Sequence, residues 1–278
     1  MKRILRLATF ALVAILGLAG CSSNGDDPLA DGVLTIGMEA DYAPYNWTTN
    51  ADNASEYAYQ ISGSDALADG YDVRIAQALA DELGVELEIK KMTWDGLIPA
   101  VQSGSIDGII AGMSPTEERK QQIDFTNAYH EDNMDMVVVV NANSDYANAT
   151  SLADLAGANL SAQIGTFHVD LLDQIEIADN ATAPLPDFAS LIQATASGSL
   201  DGYIAESTTA VVQVENNSNL KIIDVGDEFE IDPSISQSAI GVKKDTGLAE
   251  KLNDALATID DETRVEWMAE ASRLSGQE

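Results

Sequence analysis

A chain of 278 residues with 46 acidic against 14 basic side chains has a formal charge of −32, which excludes electrostatic binding to nucleic acid. Hydrophobic residues make up 45%, enough to bury a core in one or two domains, which excludes an acidic disordered tail. A single cysteine excludes a disulfide framework.

In chain order, the first element is a leader. "MKRILR" is a basic start, and "LATFALVAILGLAG" is an apolar run of signal-peptide length, short for a membrane span. Leu18-Ala19-Gly20-Cys21 resembles a bacterial lipobox, in which the cysteine is lipidated and becomes the mature N-terminus. Residues 1–20 are therefore expected to be a signal peptide, Cys21 a lipidation site, and 21–32 a lipidated tether. Removal of three basic residues takes the charge to roughly −35, an acidic surface that also suits cationic solutes at low salt. No later apolar run reaches spanning length, so the folded part is expected outside the cell, lipid-anchored at the extracytoplasmic face.

"VLTIGME" (33–39) alternates and reads as a strand. The polar stretch 46–69 reads as a loop or long hairpin. "YDVRIAQALADELG" (71–84) has helical spacing and ends on glycine. "VELEIK" reads as a strand, "GLIPAVQSG" as a short helix and "SIDGIIAG" as a strand, an alternation that implies a mostly parallel α/β sheet. Ser114-Pro115-Thr116-Glu117 reads as a capping box opening the helix "PTEERKQQI". "AYHEDN" reads as a solvated turn carrying His130, and no metal site is expected. "SAIGVKKDTGLAEKLNDALATI" reads as strand then helix, and "DDETRVEWMAEASRL" as a last helix.

The chain also nearly repeats itself. "LIPAVQSGSIDGIIA" (97–111) matches "LIQATASGSLDGYIA" (191–205) at 10 of 15 positions, without a gap. Each copy is a helix, a Ser-Gly-Ser turn and a buried strand, which predicts two similarly built α/β lobes. Ligands of open α/β sheets bind beyond the carboxyl ends of strands. The residues that follow each copy are Gly112, Met113 and Ser114 in the first, and Glu206 and Ser207 in the second.

Arg119 is a cation near a helix start, where the dipole disfavours it. It reads either as a surface ion pair with an acid such as Asp124, or as an anion clamp aided by Ser114, Thr116 and free helix N–H groups. Glu206 reads either as a cap on "STTAVVQVE" or as an acid awaiting a ligand ammonium. An arginine on one lobe and a glutamate on the other match a zwitterion, an α-amino acid. Tyr42, Tyr45 and Trp94 lie in strand-end loops at the same edge and favour a lid over an aliphatic or cationic side chain.

"IGMEADYAPY", "GYDVRIAQALADELG", "WDGLIPAVQSGSIDGIIAGMSPTEER", "IDFTNAYH", "SLADLAGANLSAQIGT" and "GSLDGYIAE" run in one order across nearly the whole mature chain. In these stretches the sequence resembles the extracellular solute-binding proteins of polar amino-acid ABC transporters, the family 3 type. The resemblance implies an α/β, two-lobe periplasmic-binding-protein-like fold (type II) with two hinge strands. Residues 33–131 would form the first part of lobe 1, 132–236 lobe 2 with the flanking hinge strands, and 237–278 the return to lobe 1. It implies that Arg119 binds the ligand α-carboxylate, helped by Gly112 and Ser114, and that Glu206 binds the α-ammonium. Tyr42 and Trp94 match the pair that sandwiches the ligand side chain, and Glu39 matches an acid that meets the distal charge of basic amino acids. Where the family has a second small hydroxyl residue after "GT", this chain has Phe167 and then His168. That leaves Thr166 as the nearest candidate for the second carboxylate contact and makes Phe167 a further pocket wall. The family usually has Asp where Glu206 stands.

The function implied is capture of an extracellular L-amino acid and delivery to an ABC permease in the membrane, by a monomer without a cofactor. Glu39, the aromatics and the acidic field lean toward a basic or polar side chain such as arginine or lysine, although Glu at that place also occurs in relatives that bind uncharged polar amino acids. Two other classes compete. A dehydratase of the same fold would need a general acid or base, with Glu206, His168 and Glu39 as candidates. A sensory protein would present the ligand to a separate receptor.

Overall fold

The computed structural model describes residues 27–131, 135–178, 181–232 and 235–276. The leader, Cys21 and the start of the tether lie outside the described residues, as do 132–134 and 233–234 within the expected hinge strands. The strands are β1 (Val33–Met38), β2 (Asp41–Tyr42), β3 (Asn46–Thr49), β4 (Tyr59–Gln60), β5 (Leu67–Asp69), β6 (Glu86–Lys91), β7 (Gly108–Ile109), β8 (Asp124–Glu131), β9 (Met136–Asn141), β10 (Leu160–Ser161), β11 (Gly202–Glu206), β12 (Leu220–Ile223) and β13 (Gln237–Val242). The helices are α1 (Tyr71–Leu83), α2 (Trp94–Ser103), α3 (Glu117–Lys120), α4 (His168–Leu172), α5 (Phe188–Ala196), α6 (Ser207–Glu215), α7 (Leu248–Leu256) and α8 (Asp261–Ser275).

One five-stranded sheet runs β6-β1-β7-β13-β8 and a separate four-stranded sheet runs β10-β11-β9-β12. The chain leaves the first sheet after β8 and returns to it at β13. Among the named strands, parallel pairing joins β6-β1-β7 and β10-β11, while β8, β9, β12 and β13 pair antiparallel. The expected mostly parallel sheet is thus mixed, because the strands that carry the chain between sheets enter them reversed. A continuous core of Leu34, Ile36, Ile75, Leu79, Ile109 and Ile240 packs around the first sheet, and Val138, Val140, Leu160 and Ile204 form a second cluster around the other.

The near-repeat becomes two similarly built units. Gly104 after α2 has φ 77° and Gly198 in the second turn has φ 78°, the left-handed conformation that reverses a chain at a helix end. The flanking hydroxyls pair in both turns, Ser103 with Ser105 at 2.9 Å and Ser197 with Ser199 at 3.1 Å. Each unit then spends its aspartate alike: Asp107 accepts from the Thr35 N–H and Asp201 from the Asn159 N–H, both at 2.8 Å. The two α/β units therefore dock their neighbouring strands by the same bond.

The 46–69 stretch is not an open loop. Together with β2 it forms a four-stranded antiparallel sheet, β2-β3-β5-β4, of strands too short to leave a periodic signature. Asp69 fastens it by accepting from Ser55 N and Oγ, each at 2.8 Å. His130 is likewise in a strand, not a solvated turn; its ring lies edge-to-face on Tyr45 and Tyr71. Among the described residues no helix is long and apolar enough to cross a membrane, and no cluster of His, Cys, Asp and Glu is arranged to hold a metal.

Candidate functional site

The carboxyl ends of β1, β7 and β11 face one another across the gap between the two sheets and enclose a small cavity of about 20 Å³. Glu39, Tyr42, Trp94, Gly112, Ser114 and Arg119 reach it from the first unit, and Thr166, Phe167 and Glu206 from the second. All nine residues named from the sequence line it. Tyr45 does not: it stacks behind Tyr42, with ring centroids 5.1 Å apart.

Arg119 is buried, 7% exposed, at the third position of α3. The helix is a single turn, Glu117–Lys120, and Thr116 caps it by accepting from Arg119 N at 3.3 Å. The expected capping box on Ser114 does not form, since Ser114 is itself buried in the cavity wall and Pro115 precedes the helix. No ion pair joins Arg119 to Asp124, which accepts instead from Asp245 N. The guanidinium bonds only carbonyls, Ser114 O at 2.9 Å and Gly165 O at 3.1 Å, and lies 5.0 Å over the Trp94 ring. Among the described residues it has no carboxylate partner, and burial pulls its pKa down to about 10. A buried cation left with neutral acceptors is poised for an anion.

Two carboxylates stand opposite, Glu39 buried and Glu206 partly buried. Glu39, directly after β1, accepts from Gln163 Nε2 at 2.8 Å. Burial pushes its carboxyl up to about 8; the Gln163 bond opposes this, while Asp41 and Asp187 add repulsion. Glu206 ends β11. It precedes α6 but makes no side-chain cap bond to it, so the capping alternative is absent. Its Oε1 pairs with His168 Nε2 at 3.0 Å, while Oε2 is buried without a hydrogen-bond partner among the described residues. Burial raises this carboxyl, but His168, by charge and hydrogen bond, outweighs burial and holds it below the ordinary value. Burial and the adjacent Glu206 charge push the Tyr42 phenol well above its usual range, keeping it neutral.

The wall is set by close packing. Gly112 has φ 60°, and a Cβ there would sit 2.8 Å from Tyr42 Cε1, so only glycine lets the backbone and ring approach. Behind it runs a buried chain of bonds. Gly112 N–H donates to Tyr129 Oη at 2.9 Å, and Tyr129 donates to Asp72 at 2.8 Å. Asn46 donates to Asp72 and accepts from Ala40 N–H, both at 2.7 Å. Thr48 caps the Ala40 carbonyl at 2.7 Å. Ala40 has φ 53°, a conformation alanine adopts only when held. The small inserted sheet thus fixes the backbone beside Glu39, and Asp72 ties that backbone to Gly112.

Contacts that cross between the units at the cavity include Glu39 with Gln163, Tyr42 stacked on Phe188 at 5.5 Å, and both Trp94 Nε1 and Arg119 Nη2 donating to Gly165 O at 3.1 Å. The arrangement is a closed one. Thr166, the expected second carboxylate contact, spends its hydroxyl proton on Gln163 O at 2.7 Å. Gln163, Phe188 and Ala111 line the cavity without having been placed there by the sequence reading, and His168, named only as a possible acid or base, lines it too. Phe188 had a signal: it stands 94 positions after Trp94, the same offset as the repeat, and both open the helix of their unit. Gln163 had none, because its partner Glu39 comes from a distant part of the chain.

The model for bacterial extracellular solute-binding proteins, family 3, matches residues 34–270. The chain is similar to the arginine-binding extracellular protein ArtP of Bacillus subtilis (strain 168), at 29% identity over 267 residues and 96% of each chain. It is similar in structure to an amino acid ABC transporter substrate-binding protein, AbpA from Streptococcus pneumoniae Canada MDR_19A, bound to L-arginine. That match has a TM-score of 0.72 and 26% identity, covering 89% of this chain and 98% of the other. An ancestral arginine-binding protein bound to glutamine matches with a TM-score of 0.69 and 32% identity, covering 86% and 97%.

Proposed function

The chain belongs to the bacterial extracellular solute-binding proteins, family 3, and from that premise we propose that it captures L-arginine or L-lysine for an ABC permease. The observation that carries the reading is the charge set of one cavity: a buried guanidinium, Arg119, without an acid among the described residues, facing two carboxylates, the buried Glu39 and the partly buried Glu206. A ligand with one anionic and two cationic groups complements that set, and a basic amino acid is such a ligand. Its α-carboxylate meets Arg119 beside Ser114 and the Gly112 backbone. Its α-ammonium meets Glu206, and its distal cation meets Glu39. Tyr42, Trp94 and Phe167 enclose the aliphatic stem, with Thr166 at the rim as an acceptor.

Residues of both units contact the ligand, so ligand binding favours closure by the contacts that exist only in the closed form. The arginine-binding relative and the arginine-bound structure support the same side-chain class. We further propose that lobe 1 comprises 33–131 and 237–278, that lobe 2 comprises 132–236, and that the monomer is tethered through lipidated Cys21. A thermal-shift screen of the mature domain against the common L-amino acids tests the reading. Arginine or lysine should raise Tm most, and a largest shift from an acidic or aliphatic amino acid would overturn it. Release of a Cys21→Ala variant into the medium would support the lipid tether, and retention on the cell would oppose it.

A further inference from the structure

His168 is the first residue of α4 and is almost fully buried, 2% exposed. Its ring sits edge-to-face on Phe167, with centroids 4.5 Å apart, and on Phe188 at 6.2 Å, both of them cavity residues. An ionised carboxylate only accepts hydrogen bonds, so Nε2 carries the hydrogen it shares with Glu206 Oε1 at 3.0 Å. That bond occupies one carboxylate oxygen and fixes the plane of a side chain that otherwise has three free torsions. The other oxygen, Oε2, is buried and takes no well-aligned hydrogen bond among the described residues, although the Tyr42 hydroxyl lies beside the carboxylate, so it has room for a further donor.

We propose that His168 is a positioning residue for α-ammonium recognition: by clamping Glu206 Oε1 it presents Oε2 to the ligand and so sets the preference for amines over their deaminated analogues. The assignment rests on the amino-acid reading above. It gives the imidazole a role separate from proton transfer, since no step of capture moves a proton through it. Tyr42, whose hydroxyl lies beside the same carboxylate, closes the other side of the group. Arg119 and Glu39 line the same cavity and bind other parts of the ligand, so loss of the clamp should leave their contributions in place.

The test compares two ligands on three proteins by calorimetry. L-arginine and 5-guanidinopentanoate share the carboxylate and the guanidinium; only the first has the α-ammonium. One charge-assisted bond makes the wild type prefer L-arginine by about 10- to 100-fold. His168→Leu should cut that ratio at least about tenfold by weakening L-arginine alone, and His168→Gln, which keeps a donor of similar reach, should retain most of it. Should the leucine variant not fold, His168→Asn, polar but too short to reach Glu206, carries the same expectation. Equal weakening of both ligands in the variants would mean a packing role and would overturn the proposal, as would an unchanged ratio. Failure of the wild type to bind L-arginine or any other amino acid would remove both this proposal and the reading it rests on.

Discussion

Replacing Arg119 by methionine should separate ligand capture from folding. Keeping the guanidinium charged in the cavity wall lowers its pKa from 12.5 to about 10, which corresponds to roughly 3 kcal/mol at about 1.4 kcal/mol per pH unit. Methionine removes that cost together with two hydrogen bonds to carbonyls, each worth about 1.5 to 3 kcal/mol. Neither carbonyl is orphaned, because Ser114 O also accepts from Thr116 N and Gly165 O from Trp94 Nε1. The opposing terms leave ligand-free stability changed by no more than about 3 kcal/mol. Binding should suffer far more, since a buried partner of a ligand carboxylate is lost, an effect of about 3 to 5 kcal/mol or roughly 10²- to 10⁴-fold in Kd. Urea unfolding without ligand and calorimetry with L-arginine read the two quantities. Binding within tenfold of wild type, or an apo protein destabilised beyond about 4 kcal/mol, would refute the reasoning.

Two further outcomes follow from the same cavity. Burial raises the Glu39 carboxyl to about 8, so without ligand it is mostly protonated at neutral pH, whereas a ligand cation favours the ionised form. Affinity for a basic amino acid should therefore fall as pH drops below about 8, by up to about tenfold per pH unit, with close to one proton released per ligand at neutral pH. Calorimetry in buffers of different ionisation enthalpy measures the release; Glu39→Gln should abolish it, and a flat profile in the wild type would contradict the assignment. Gly112→Ala places a Cβ 2.8 Å from Tyr42 at a left-handed position, so it should cost about 1 to 3 kcal/mol of stability and at least tenfold in affinity; a neutral effect on both would show that the wall tolerates movement.

The sequence made the two-lobe plan legible through one repeat. The offset of 94 placed Gly112 and Glu206 at equivalent strand ends, and three more residues of the same offset would have reached Phe188. What stayed hidden depends on contacts between distant stretches. Gln163 matters because Glu39 faces it across the gap; the sequence offered His168 only as a possible acid or base, and its pairing with Glu206, 38 residues away in the same unit, comes from the fold. The inserted sheet was unreadable because strands of two to four residues leave no periodicity. The helix at Arg119 was drawn too long because Ser114 has the side chain of a cap but is buried in the cavity wall, where Thr116 takes the role. Asp72 showed only as an acid in the first turn of α1, a common helix feature; that it joins Ala40 to Gly112 through Asn46 and Tyr129 is a property of the packed interior.

The central claim is that the cavity recognises a cationic amino acid by charge complementarity, with Glu39 at the distal end. L-arginine and L-citrulline have nearly the same shape and the same backbone charges, and differ in the distal charge. Calorimetry of the wild-type mature domain at pH 8 should give L-arginine a Kd lower by at least about 30-fold, in keeping with one buried charge-assisted pair. Equal affinities, or a preference for citrulline, would contradict the account.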